Sequence, residues 1–176
     1  MLGDGFGVSD LGSRPDLPEV DETGTTFSEN ARLKAVEISE QVGGLVLSDD
    51  SGLEVDALGG EPGVYSARYA GPGKGTEANN AKLMAELAKL PDAPRSARFR
   101  CVMVVAEAGE VLAEFAGSVE GEIIEDLRGA RGFGYDPLFI PQGHSKTFAE
   151  LGDEVKSKLS HRAIALAQVI EWLETR

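Results

Sequence analysis

The stretch that most constrains this chain runs from Ser48 to Tyr69. It reads Ser48-Asp49-Asp50-Ser51-Gly52-Leu53, then Gly59-Gly60-Glu61-Pro62-Gly63-Val64-Tyr65-Ser66-Ala67-Arg68-Tyr69. A short apolar run, Leu45-Val46-Leu47, feeds directly into the adjacent carboxylates Asp49 and Asp50, and a hydroxyl and a glycine follow. An apolar strand that aims its C-terminal end at acidic residues suits a metal or phosphate site at the edge of a sheet. Asp, Ser and Gly are also ordinary turn residues, so an acidic turn fits the same letters. The remainder of the chain has to choose between the two.

Composition narrows the function classes. The chain has 176 residues, enough for one domain with a real core, and 41% hydrophobic with 27% charged residues is ordinary for a globular protein. The net charge is -13. A surface that acidic repels phosphate backbones, so no nucleic-acid partner is expected. A nucleotide substrate stays possible, because a bound divalent cation and a few local cations offset phosphate charge. No apolar run approaches a membrane span, and no basic-apolar leader opens the chain. Cys101 is the single cysteine and lies in an apolar run, which predicts a buried thiol and no intrachain disulfide. A cytoplasmic protein without membrane contact is the expectation.

In chain order, residues 1–18 are rich in Gly, Asp and Pro and read as a flexible end; Gly3-Asp4-Gly5-Phe6-Gly7 lacks the preceding strand that would give a glycine-rich loop meaning. An acidic loop, Glu19 to Glu22, precedes Thr26-Phe27-Ser28-Glu29, which fits a capping box. The spacing predicts a helix to about Val42 with Phe27, Ala31, Ala35, Ile38 and Val42 on one face and Gly43-Gly44 ending it. Thr76 is the expected cap of a second helix to about Leu90, whose Leu83, Met84, Leu87 and Leu90 read as core. Residues 97–105 begin alternating and become wholly apolar, which suits a strand buried on both faces at its end. Ala108-Gly109-Glu110 is a predicted hairpin turn, and 111–115 with 119–124 return antiparallel around a bulge at Gly117.

Two later segments carry chemistry. In Arg131-Gly132-Phe133-Gly134-Tyr135-Asp136-Pro137, glycines let backbone approach a ligand, while Phe133 and Tyr135 offer faces on which a base could stack. Lys156, His161 and Arg162 form a basic cluster in an acidic chain, with Ser160-His161-Arg162 opening the last helix, where backbone N–H groups favour anions. There is no hydrolase nucleophile motif around His144 or His161 and no Walker P-loop. Carboxylates after a strand, a second acidic loop, a glycine-aromatic loop and a basic helix start together fit a Mg²⁺- or Mn²⁺-assisted reaction at a phosphoanhydride of a nucleotide.

Five motifs in order, Thr26-Phe27-Ser28-Glu29-Asn30-Ala31 with Lys34-Ala35, Ser48 to Leu53, Gly59 to Tyr69, Gly132 to Pro137, and Leu159-Ser160-His161-Arg162-Ala163, closely resemble the inosine triphosphate pyrophosphatase family. The resemblance runs from about Asp10 to the C-terminus. It implies an α/β fold with a central mixed β-sheet flanked by helices, two lobes around a substrate cleft, and a homodimer. It implies hydrolysis of ITP, dITP and XTP to the monophosphate and pyrophosphate. Carried over by motif, Asp50 is the expected general base and a Mg²⁺ ligand, and Glu22, or else Glu19 or Asp21, the second acidic metal contact. Lys34 and Ser51 are expected near the phosphates. Phe133, Gly134, Tyr135 and Asp136 are expected to hold the nucleoside, with Phe133 stacking on the base. Lys156, His161 and Arg162 are expected to contact a 6-keto purine. The family's opening strand and its Thr/Ser-x-Asn-x-x-Lys loop do not stand in residues 1–176, so the expectation is a single domain over 1–176, N-terminally truncated relative to the family. The alternative expectation is a catalytically impaired, nucleotide-binding remnant.

Overall fold

The protein is described here from a computed structural model covering residues 7–14, 16, 17 and 19–176. The expected glycine-rich fragment at residues 3–7 lies outside the described residues save for Gly7. In order, the main elements are α1 (Phe27–Ser39), β1 (Val46–Val55), α2 (Gly75–Ala88), β2 (Ser96–Glu107), β3 (Glu110–Ile123), β4 (Phe139–Pro141), α3 (Phe148–Leu151), α4 (Asp153–Leu159) and α5 (His161–Glu174). Short 3-10 turns stand at Leu11–Ser13, Asp56–Leu58 and Gly63–Arg68. The strands form one sheet in the order β1-β2-β3-β4. The α/β class stands as expected, but the sheet is antiparallel rather than mixed. Ala108 and Gly109, both at positive φ, make the turn between β2 and β3, and β3 pairs antiparallel with β4 from Gly121↔Pro141 to Ile123↔Phe139.

The central correction concerns β1. The sequence placed Asp49 and Asp50 beyond the end of a strand. Instead the strand runs through them and on to Val55. Burial is inverted as well: Leu45 and Leu47 are exposed, while Asp50, Leu53 and Val55 are buried. The apolar run therefore does not anchor this strand; the pattern after the carboxylates does. The return strand is also continuous, with Gly117 inside β3 rather than breaking it.

The chain divides into two compact units. One comprises 7–50, 102–115 and 165–176 of the described residues. It buries Phe27, Ala31, Ala35 and Ile38 of α1, the stripe expected from spacing. Thr26 caps α1 through a full capping box with Glu29, as its sequence required. The helix stops at Ser39, short of Val42. There the Ser39 hydroxyl donates back to the Val36 carbonyl (3.0 Å) and accepts from Gly109 N (2.9 Å), which ties the helix end to the β2–β3 turn. Phe115 meets Trp172 edge-on, with centroids 6.0 Å apart.

The other unit comprises 51–101 and 116–164. Its core gathers Leu53, Val55, Leu83, Leu87, Phe99, Ile123, Leu138, Phe139 and Phe148. Each such Leu or Phe contributes about 1.5–3 kcal/mol by leaving water. Thr76 does not cap α2: the helix begins at Gly75, and Lys74 precedes it without a side-chain cap; it ends at Ala88, so Leu90 lies past it and is exposed rather than core. A second capping box, Thr147 with Glu150, opens the four-residue α3.

Candidate active site

The acidic residues of the first unit are set by one buried amide. Asn30, in the first turn of α1, is fully buried. Its Nδ2 donates to Asp50 Oδ2 at 3.0 Å, and its Oδ1 accepts from Gly24 N at 2.8 Å. A single side chain thus connects the strand carboxylate to the loop that carries Glu22. That loop has no slack at Gly24, where a Cβ would lie 2.7 Å from Asn30 Oδ1. Glu22 Oε1 accepts from Lys34 Nζ at 2.6 Å, both side chains about a quarter exposed. Glu19 and Asp21, the other acidic options in the loop, are exposed. Ser51 is half-buried and follows Asp50 on β1.

The donor chemistry here is carboxylate oxygen only. Among the described residues no group of three or more His, Cys, Asp or Glu side chains is gathered for a metal ion. One or two carboxylates are the usual protein contribution to Mg²⁺, which takes the rest of its shell from water and phosphate oxygens. Carboxylates such as those of Glu22 and Asp50 are the ligand type such an ion takes, whereas a Cys/His-type transition metal finds no donor set among the described residues.

The second unit holds a pocket of about 250 Å³, lined by Phe133, Asp153, Lys156, Ser157, Ser160, His161 and Arg162. Four residues named from sequence therefore come together: Phe133, Lys156, His161 and Arg162. Phe133 is 64% exposed. Lys156 Nζ lies 4.0 Å from its ring centroid, and the Arg162 guanidinium carbon 5.8 Å. His161 is buried and stacks on Phe99, centroids 5.0 Å apart and planes 11° from parallel. Ser160 Oγ accepts from Ala163 N, which fixes the start of α5 where His161 and Arg162 leave the backbone.

Tyr135 and Asp136 take different positions from Phe133. Tyr135 is 3% exposed, and its hydroxyl donates to the Ser66 carbonyl at 2.9 Å, so it offers no stacking face. Burial pushes its phenol well above the ordinary range, which keeps that donor protonated. Asp136 is 1% exposed; its Oδ2 accepts from Phe133 N (2.9 Å) and from Lys156 Nζ. Gly132 sits at φ +76°, and a Cβ there would come within 2.2 Å of the same Oδ2. The loop can close around Asp136 only because residue 132 has no side chain.

With this geometry in hand, similarity to known proteins is decisive. The sequence profile of the Ham1 family matches residues 1–172. The chain belongs to the Ham1 family. A Ham1 relative from Desulforamulus reducens, named dITP/XTP pyrophosphatase, is 50% identical over 169 residues, 96% of this chain and 84% of that protein. A protein of the same name from Bacillus subtilis is 48% identical over 170 residues, 97% of this chain and 86% of its own. The solved structure of the Staphylococcus aureus Ham1 protein superimposes with a TM-score of 0.87 at 43% identity, covering 94% of this chain and 85% of that one. The family expected from the five motifs is thus the family found.

Asn30 and Asn80 went unnoticed in the sequence as site residues of this Ham1 chain. The signal was present: Asn30 lies three residues after Phe27, and Asn80 three before Leu83, so both fall on the buried faces of their helices. A polar residue on an apolar stripe has a partner to find.

Proposed function

We propose that this protein hydrolyses dITP, XTP and ITP to the nucleoside monophosphate and pyrophosphate. The observation that carries the reading is the kinship with proteins named dITP/XTP pyrophosphatase over nearly the whole chain. The pocket supports it: an exposed aromatic ring beside Lys156, His161 and Arg162 suits a purine with hydrogen-bond acceptors on its edge.

In this reading Asp50, oriented by Asn30, takes the proton from the attacking water. Lys34, now paired with Glu22, offsets phosphate charge, and Ser51 donates to a phosphate oxygen. Phe133 stacks on the base. His161 and Arg162 donate to a 6-keto oxygen and leave the amino group of adenine poorly paired, a mismatch that discriminates strongly. Mg²⁺, or Mn²⁺ in its place, held by Glu22 and Asp50, would polarise phosphoryl oxygens. A homodimer working on the cytoplasmic nucleotide pool completes the proposal, on the strength of the family resemblance. No helix among the described residues is long and apolar enough to cross a membrane.

Pyrophosphate release from ITP, dATP and dGTP, each with Mg²⁺, tests the proposal. ITP is expected to turn over fastest. Equal turnover of all three removes the base selectivity, and no release from ITP removes the activity.

A further inference from the structure

The loop that carries Phe133 is held by α2, a helix whose spacing alone indicates only a packing role. Gly132 and Gly134 both sit at positive φ, 76° and 60°. Backbone of this kind has many other conformations open to it. A ring that receives a base must already be in place, or binding bears the cost of ordering it.

Asn80 of α2 is 4% exposed, and its Nδ2 donates to the Gly134 carbonyl at 3.1 Å. Its Oδ1 is buried without a hydrogen-bond partner. A buried orphan acceptor is unfavourable, and an apolar side chain would avoid it. What this position supplies is therefore the donor. The neighbouring Asn79 grips the segment on which Tyr135 rests: its Oδ1 accepts from Ala70 N (2.7 Å), and its Nδ2 donates to the Ala67 carbonyl (3.0 Å). Tyr135 in turn donates to the carbonyl of Ser66. Two consecutive amides of one helix thus fix the loop at Gly134 and its footing at Ser66–Ala70.

We propose that Asn80 is a positioning residue for purine recognition, holding the Gly134 carbonyl and with it the Phe133 ring beside Lys156 and Arg162. The inference rests on the function proposed above.

The test compares Asn80→Ala and Asn80→Asp, which is equal in size but lacks the donor, with Leu87→Ala. Leu87 is equally buried on α2 and apolar. Hydrogen exchange of amides 129–136 reads the tether directly. Both Asn80 variants are expected to exchange there about three- to tenfold faster, the weight of one hydrogen bond, and to raise KM for ITP by a similar factor with kcat held. Leu87→Ala is expected to lose stability throughout without that local change. Unchanged loop exchange in the Asn80 variants overturns the inference. So does a KM rise that Leu87→Ala reproduces at equal loss of stability. Exchange is read on the protein without substrate, so failure of the wild type to hydrolyse ITP counts against the proposed activity and not against the tether.

Discussion

The acidic set around Asp50 and the aromatic set around Phe133 are built in opposite ways. Asp50 lies inside a strand, buried, with a fully buried amide on its carboxylate. Phe133 lies on a glycine loop, mostly exposed, with its neighbours rather than itself packed into the core. The first arrangement suits a group whose orientation must not vary. The second suits a surface that meets a flat ligand and is steadied from beneath by Asp136, Tyr135 and Asn80. Under the proposed function the contrast is a division of labour: rigidity at the carboxylate proposed to take the proton, an accessible face at the ring proposed to meet the base.

Substitution at each set can break that division. Asp50→Asn keeps the size and removes the proposed base, so kcat for ITP is expected to fall by about 10²–10⁴ with KM little changed. Phe133→Leu removes the stacking face. Base–aromatic stacking contributes about 1–3 kcal/mol, so KM is expected to rise roughly 5- to 150-fold while kcat holds. Steady-state kinetics on both variants decide it. A kcat loss at Phe133 as deep as that at Asp50 would show that the two sets do not act separately.

Much of this was legible in the letters, and the failures share a cause. The capping box at Thr26, the stripe on α1 and the start of α5 followed from local rules, because a cap and an apolar face are set by residues three or four apart. Phe133 read as a stacking face and Lys156, His161 and Arg162 as a basic cluster before the family resemblance joined them, and the pocket gathers all four. Where β1 ended was not legible. Leu45-Val46-Leu47 looked like the buried strand, yet what buries a strand is its neighbours, and Asp50 is buried against Asn30 of α1. Asn30 and Asn80 stand on apolar stripes and so signal a need for partners, but which partners is not legible, because they lie 20 and 54 residues away. Tyr135 and Phe133 read alike as aromatic faces, and only the fold separates the buried ring from the exposed one.

The two capping boxes, one in each unit, extend the comparison to stability. Thr26 is exposed and makes only the box; Thr147 is fully buried and its hydroxyl also donates to the Arg128 carbonyl at 2.8 Å. Thr26→Ala is expected to cost about 1 kcal/mol, the usual value of an N-cap. Thr147→Ala loses the cap and a second hydrogen bond worth about 0.5–1.5 kcal/mol more, and Arg128 adjoins the Phe133 loop. Urea unfolding of both variants measures the difference. Equal costs would mean that the Thr147–Arg128 bond contributes nothing net.

The smallest effect expected is in acid, and its sign follows from the same two boxes. Backbone N–H donation from Thr25 holds the Glu29 carboxyl below its ordinary value, and donation from Thr147 does the same for Glu150. The folded protein therefore gives up these protons more readily than the unfolded chain. Above the ordinary Glu value of 4.5 both states are ionised and the stabilisation is fully present. As pH falls below it, the unfolded chain takes up protons first, and stability is lost until the folded carboxyls protonate too. Glu29→Gln and Glu150→Gln keep an acceptor for the same N–H groups but cannot titrate. Each is expected to flatten slightly the fall of the urea midpoint between about pH 5 and pH 3. The change is small because both glutamates meet solvent. Salt is expected to weaken it more at Glu150, where Arg128 and Lys146 add to the N–H donation, than at Glu29, which backbone and hydroxyl donors alone hold. A slope unchanged in both variants would place the acid sensitivity in other carboxylates, with Asp56, held low by Ser96 and Arg98, the next to substitute.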